Sequence, residues 1–304
     1  MNALMQAHSL TKSYGSSRGI TDVTFEIAKG EVFGFLGPNG AGKTTTMRVL
    51  MGLLQPTDGF ATIGGLNCWR HSTKVKHLVG YLPGEYSFDP ELTGAQIIAY
   101  LGHLRGGVEQ GYVRQLVERL GLDPGKRFRA YSRGNKQKVG LVQAFMHRPP
   151  LLILDEPTSG LDPLNQQEFY ALLSEVHADE RTIFLSSHNL AEVEHTCERV
   201  GIIREGKLVT IDQVAALKQI KQHDVDLSFA GPASPEWFIH LPGVSKAQSG
   251  PSQREVCLAV RGELREVIKV AAEHDVTTIV THEPSLEEIF LRFYEPERSP
   301  SVVA

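Results

Sequence analysis

Gly37-Pro38-Asn39-Gly40-Ala41-Gly42-Lys43-Thr44 fits the spacing G-x-x-x-x-G-K-[ST], and it follows the apolar run Val32–Leu36. No other stretch restricts the possible folds as tightly. Glycines let successive backbone N–H groups converge on phosphate oxygens. A helix must then begin at the loop, so that its positive end adds to the pull on an anion. Met47, Leu50, Met51 and Leu54 supply that helix with the i, i+3, i+4, i+7 spacing of one buried face. Lys43 is placed to reach the terminal phosphates of a nucleoside triphosphate, and the Thr44 hydroxyl to bind Mg²⁺. Pro38, Asn39, Ala41 and Thr45 complete the nucleotide-binding candidates.

A second feature limits the chemistry. Leu151-Leu152-Ile153-Leu154 is an aliphatic run closed by Asp155 and Glu156. Such a run suits a central strand buried on both faces. Asp155 at its end is a candidate for holding Mg²⁺, and Glu156 for orienting or deprotonating an attacking water. Thr182–Ser186 and Val200–Ile203 are further short β-rich runs, alternating with helical patterns such as Phe169, Leu172, Leu173 and Val176. The alternation predicts an α/β core with a largely parallel sheet. Asp162-Pro163 reads as the N-cap and first turn of the helix carrying Phe169.

Between about residues 85 and 142 helical patterns replace strands, as in Tyr112–Leu120, which predicts a helical subdomain inserted into the core. Composition shifts again near residue 222. Val225–Phe229, Val256–Val260 and Thr277–Val280 read as strands, and Leu264, Val267, Ile268, Ala271 and Ala272 as one helical face. Ser285 and Glu288 form a capping-box pattern opening a last helix with Leu286, Ile289, Phe290 and Phe293. The expected division is an α/β domain over residues 1–220, a small α+β domain over 222–295 and a flexible tail over 296–304.

Composition removes several classes of function. A net charge of −4 gives no global reason to expect a nucleic-acid partner. Cys68, Cys197 and Cys257 lie far apart without metal-ligand spacing, so they read as thiols in a chain that needs no disulfide. The N-terminus lacks a signal-peptide pattern, and no apolar run approaches the roughly 20 residues of a membrane helix. The chain is expected to be soluble by itself, with any membrane role reached through a partner.

Other motifs carry a family resemblance. Tyr131-Ser132-Arg133-Gly134-Asn135 resembles the ABC signature, usually written L-S-G-G-Q. Ser159-Gly160-Leu161-Asp162 resembles the D-loop, His188 the switch histidine, and Tyr14 the aromatic residue that stacks on adenine. With the phosphate loop and acidic strand, these elements stand in the order of ABC transporter ATP-binding subunits.

The resemblance implies a P-loop core of ABC type with an N-terminal β-rich subdomain. It implies ATP hydrolysis with Lys43, Glu156 and His188 as catalytic residues. Ser132, Arg133, Gly134 and Asn135 would act in trans on the ATP of a second subunit, and Asp162 would link the two sites. Both halves of a site are present, so a homodimer is the simpler expectation.

The Tyr-Ser-Arg-Gly variant and Pro284–Leu291 resemble the ATPases of ABC-2 type exporters, including bacterial drug- and antibiotic-efflux systems. The implied partner is a separate ABC-2 type permease, and the implied location the cytoplasmic face of the membrane. The apolar stretch Leu92–Leu104 is a candidate for contact with that permease or for internal packing. An importer motor or a soluble ABC ATPase remains the alternative.

Two departures stand out. Gly80-Tyr81-Leu82-Pro83 is followed by Gly84 and Glu85 where the family usually has a glutamine. Glu85 could take its place at the metal, water could, or Glu85 could face solvent. In the signature, Arg133 adds a cation that could reach the triphosphate or point to solvent.

Overall fold

A computed structural model of the chain describes residues 3–15, 17–215 and 222–282. The chain divides after Val214 into two compact units. The last helix expected at Ser285–Phe293, the tail and the block Pro284–Leu291 lie outside the described residues.

The first unit contains two sheets. Strands β1 (Ala3–Tyr14), β2 (Ser17–Ala28), β4 (Asp58–Ile63) and β5 (Leu66–Asn67) form an antiparallel sheet in the order β2-β1-β4-β5. Strands β3 (Val32–Leu36), β6 (Val79–Leu82), β7 (Leu151–Asp155), β8 (Thr182–Ser187), β9 (Arg199–Arg204) and β10 (Lys207–Gln213) form a six-stranded sheet, ordered β10-β9-β3-β8-β7-β6. All neighbours in it are parallel except β9 and β10, which pair antiparallel.

Every residue of β3, β7 and β8 is buried, as expected for parallel strands covered on both faces. Phe25 of β2 meets Phe184 of β8 at 5.7 Å between ring centroids, and Phe35 of β3 meets Phe184 at 5.5 Å. This buried aromatic group fastens the two sheets to each other, through apolar burial and offset ring contacts.

Helices α1 (Lys43–Leu50), α2 (Ser72–Leu78), α3 (Gly94–Leu104), α4 (Gln110–Arg119), α5 (Arg133–Phe145), α6 (Pro163–Ala178) and α7 (Leu190–Thr196) complete the unit. The helical region between β6 and β7 is set locally: Thr93 and Gln96 close a capping box at the start of α3. At α6 the Asp162 carboxylate accepts from the Asn165 N–H at 3.0 Å, and Pro163 occupies the first turn. Such a cap contributes about 1 kcal/mol. Phe169, Leu172, Leu173 and Val176 then face the core. No described helix is long and apolar enough to cross a membrane.

The second unit is an antiparallel sheet of β11 (Gln222–Phe229), β12 (Val244–Ser249), β13 (Glu255–Arg261) and β14 (Val276–His282), ordered β12-β13-β11-β14, with helix α8 (Arg265–Glu273). Alternate residues Val225, Leu227 and Phe229 of β11 join Val256, Leu258 and Val260 of β13 in its core. Val267 and Ala271 of α8 pack on the same face. Strand β12 was not apparent from the sequence, because Val244–Ser249 is mostly polar and exposed.

Candidate active site

The site is built where β3 ends. Gly40 and Gly42 have φ of +79° and +111°, a region that side chains rarely adopt. Helix α1 starts on Gly42 with no side-chain cap, so its first-turn N–H groups are left for a ligand. Together with Gly19, the loop residues from Pro38 to Thr45 and Glu156 line a cavity of about 260 Å³. Lys43 is buried and curls back, its ammonium donating to Gly37 O at 2.5 Å and Pro38 O at 3.2 Å. A larger cavity of about 720 Å³ lies at the opposite end of the strands. Glu26, Glu31, Glu180 and Glu198 line it with Lys29, His177 and Arg199, and Arg199 is already paired with Glu31, so the four acids outweigh the cations left for a polyphosphate.

The strand pairing delivers the acids. Because β7 and β3 both flank β8, the C-terminal ends of all three lie along one edge of the sheet. Asp155 is fully buried there. Thr44 Oγ1 donates to its Oδ2 at 2.7 Å, and Ser186 Oγ to its Oδ1 at 2.6 Å. Glu156 Oε1 lies 3.1 Å from Lys43 Nζ, and its Oε2 lies 2.6 Å from His188 Nδ1. One carboxylate thus ties the phosphate loop to the segment after β8.

The Glu156 backbone sits at φ +50°, a conformation that costs a non-glycine residue about 1–2 kcal/mol. Neighbours hold it there. Its N–H donates to Ser186 Oγ at 3.0 Å, and Gln137 Nε2 donates to its carbonyl at 3.2 Å and to Pro157 O at 2.9 Å.

The signature residues form the first turn of α5. Ser132 is the N-cap; its Oγ accepts from Asn135 N and Nδ2, both at 3.3 Å. Arg133 is exposed but committed: its guanidinium donates to Ser159 Oγ at 2.7 Å, and its stem lies beside Gly160. Within the chain its guanidinium is engaged by the segment after β7, on an exposed surface. A Cβ on Gly134 would come within 2.4 Å of Gly160 O, so α5 and the D-loop segment pack backbone to backbone. Tyr14, at the end of β1, is exposed, with Lys12 Nζ 5.5 Å from its ring centroid.

Glu85 is exposed and makes no ion pair among the described residues. Gly84 is the residue against the acid, since a Cβ on it would come within 3.0 Å of Asp155 Oδ2.

Residues outside the sequence-derived set also shape the site. Ser187 Oγ donates to Glu192 Oε2 at 2.5 Å, and Ser187 O accepts from the Gly37 N–H at 3.2 Å. Burial pushes the Glu192 carboxyl above the usual carboxylate range, with bonds from Ser187 and Thr158 opposing it. Two adjacent serines ending a buried strand were the only sequence signal for Ser186 and Ser187. Gln137 and Glu192 gave none.

The donors suit Mg²⁺. The Thr44 hydroxyl and the Asp155 carboxylate are hard oxygen ligands already within 2.7 Å of each other. No cluster of three or more His, Cys, Asp or Glu that could hold a metal occurs among the described residues. A cation here would therefore share its shell with nucleotide oxygens, as Mg²⁺ commonly does.

Comparison with known proteins agrees with this geometry. The family described as ABC transporter matches residues 20–159. The chain is 32% identical to the bacitracin transport ATP-binding protein BcrA of Bacillus licheniformis, covering 96% of this chain and 97% of that one. It is 40% identical to the BcrA protein of Enterococcus faecalis over 69% of each chain. A solved ATP-binding subunit of an ABC transporter superposes with a TM-score of 0.66 at 30% identity, covering 71% of this chain and 92% of that one. The 32% identity to the Bacillus licheniformis protein runs nearly end to end, and the family match includes the loop and acidic strand just described, so the chain belongs to the ATP-binding subunits of ABC transporters.

Proposed function

We propose that this chain is the ATP-hydrolysing motor of an exporter of drug- or antibiotic-like molecules, working as a homodimer on a separate ABC-2 type permease at the cytoplasmic face of the membrane. The observation that carries the hydrolytic part is the pairing of Glu156 with both Lys43 and His188 at the mouth of the loop cavity. Near full-length similarity to a bacitracin transport ATP-binding protein and to a linearmycin resistance ATP-binding protein supports the substrate class, and the second also export. ABC ATPases dimerise and pair with membrane subunits.

Each residue then has a role with a physical reason. The loop N–H groups and the start of α1 hold the phosphates, while Tyr14 offers its exposed ring to adenine. Lys43 shifts from Glu156 to the incoming γ-phosphate, because a polyanion outcompetes one carboxylate for the ammonium. Glu156, freed from Lys43, takes a proton from the attacking water, and His188 holds it in place. Thr44 and Asp155 would hold Mg²⁺, which neutralises charge on the phosphate oxygens when bound. Ser132, Gly134 and Asn135 present hydroxyl, backbone and amide groups to the partner's ATP, with Arg133 holding the D-loop segment that leads to Asp162. Water fills the place of the usual glutamine beside Gly84.

The test is Mg²⁺-dependent ATP hydrolysis and dimerisation, wild type against Glu156→Gln. Turnover should fall roughly 10²–10⁴-fold, with a dimer that ATP stabilises. Unchanged turnover removes Glu156 from the mechanism. Substrate class is tested separately, by ATP-driven uptake of bacitracin-like peptides into inverted vesicles holding the permease.

A further inference from the structure

Helix α5 has a side chain from another segment bonded into its backbone. The Gly140 N–H and the Lys136 carbonyl, four residues back, are a pair that α-helical geometry brings together. Here the Tyr86 hydroxyl reaches both groups: it donates to Lys136 O and accepts from the Gly140 N–H at 3.1 Å. Burial pushes the Tyr86 phenol well up, so the hydroxyl keeps the proton it donates. Glycine makes this possible. A Cβ at position 140 would lie 2.3 Å from the Tyr86 oxygen and 2.5 Å from Leu82 Cδ1. Mid-helix glycine costs about 1 kcal/mol relative to alanine, and here its missing side chain is the space the phenol occupies. Phe88 meets the Tyr86 ring edge-on at 5.6 Å and Phe128 at 5.4 Å, which holds the segment from a second side.

What the two ends of this link touch gives it meaning. Two residues before Tyr86, Gly84 lies against Asp155. On α5, the bonded backbone is one turn beyond Ser132 and Gly134, and Gln137 on that turn bonds the carbonyl of Glu156. We propose that Tyr86 is a positioning residue for ATP hydrolysis. Its hydroxyl fixes the Gly84–Glu85 segment to the signature helix, so that the residue lying against Asp155 keeps its position beside the acid while ATP is hydrolysed. This rests on the motor function proposed above.

The test uses the full chain with Tyr86→Phe. Phenylalanine keeps the ring contacts and leaves Lys136 and Gly140 to bond each other, so the helix keeps its hydrogen bond. Turnover should fall roughly ten- to a hundredfold, as for small misplacements of catalytic groups, while KM for ATP stays within about twofold and the melting temperature is nearly unchanged. A purely structural role would instead lower the melting temperature and leave turnover per folded molecule intact.

Gly140→Ala should cause a similar loss by displacing the hydroxyl. The double variant should be no worse than the worse single one, because both break the same contact. Additive losses, or wild-type turnover in Tyr86→Phe, overturn the proposal. Amide hydrogen exchange over residues 84–88 reads the link without reference to turnover. Protection there should drop in Tyr86→Phe, and unchanged protection overturns the anchoring. An inactive wild type with that drop would sink the motor reading and not the link.

Discussion

The six-stranded sheet and the C-terminal sheet use their strands in opposite ways. In the first, β3, β7 and β8 run parallel with every residue buried. Parallel strands bring all their C-terminal ends to one edge. Segments 37–44, 155–156 and 187–188, far apart in sequence, meet there and share hydrogen bonds and an ion pair. In the second, antiparallel pairing divides the strand ends between two edges, and the residues of β14 from Thr277 to His282 are exposed on both faces.

Reactive residue types are present in the C-terminal sheet too, but Asp226 and Cys257 stand in the middle of their strands. Asp226 bonds His282 at 2.9 Å, and its bond to the Cys257 thiol pushes that group up to about 11. A protonated thiol held by a carboxylate is a poor nucleophile. Residue type did not make one sheet an active site; strand direction did.

Four measurements press on that contrast. The largest effect is on turnover: Glu156→Gln should lose roughly 10²–10⁴-fold, whereas Cys257→Ser should leave the rate of Mg²⁺-ATP hydrolysis unchanged. A loss in Cys257→Ser would break the contrast.

Next come core truncations. Phe184→Ala should cost about 3–5 kcal/mol and Leu227→Ala about 2–5 kcal/mol in denaturant unfolding. Only Phe184→Ala should also weaken nucleotide binding, read by equilibrium titration.

Acid separates the units more finely. Burial, with Arg105 nearby, lowers His147 from its ordinary 6.5 to about 4. It is neutral in the fold and takes a proton near 6.5 when unfolded, so its contribution is lost as pH falls from 6.5 toward 4. Asp226 is held below its ordinary 3.8, first by the Cys257 bond, so its contribution persists until pH falls below that value. The first unit should therefore weaken at milder acidity, and His147→Gln should flatten that limb of the stability curve.

The smallest effect is expected of Glu85→Gln, with turnover and Mg²⁺ dependence within about twofold, as for a surface residue. A clear shift in Mg²⁺ dependence would instead make Glu85 a metal ligand.

The sequence alone determined the elements that obey local rules. Val32–Leu36 and Leu151–Leu154 declare buried strands by unbroken apolar character, and Gly37–Thr44 declares its loop by residues that only a phosphate cradle requires in that order. Asp162-Pro163 declares a helix start. Lys43, Thr44, Asp155 and Glu156 were candidates for the same reason, standing at the ends of strands that could be read, whereas His188 was singled out only by the family resemblance.

Only the tertiary structure decided what depends on a partner distant in sequence. The mixed sheet order, β12, the bond from Arg133 to Ser159, the site residues Ser186, Gln137 and Glu192, and the insertion of Tyr86 at Gly140 all rest on contacts between segments that carry no mark of each other. A strand's burial and a loop's glycines follow from the chain's own chemistry. Which hydroxyl meets which carbonyl follows from packing, which assembles the whole fold before it fixes any one bond.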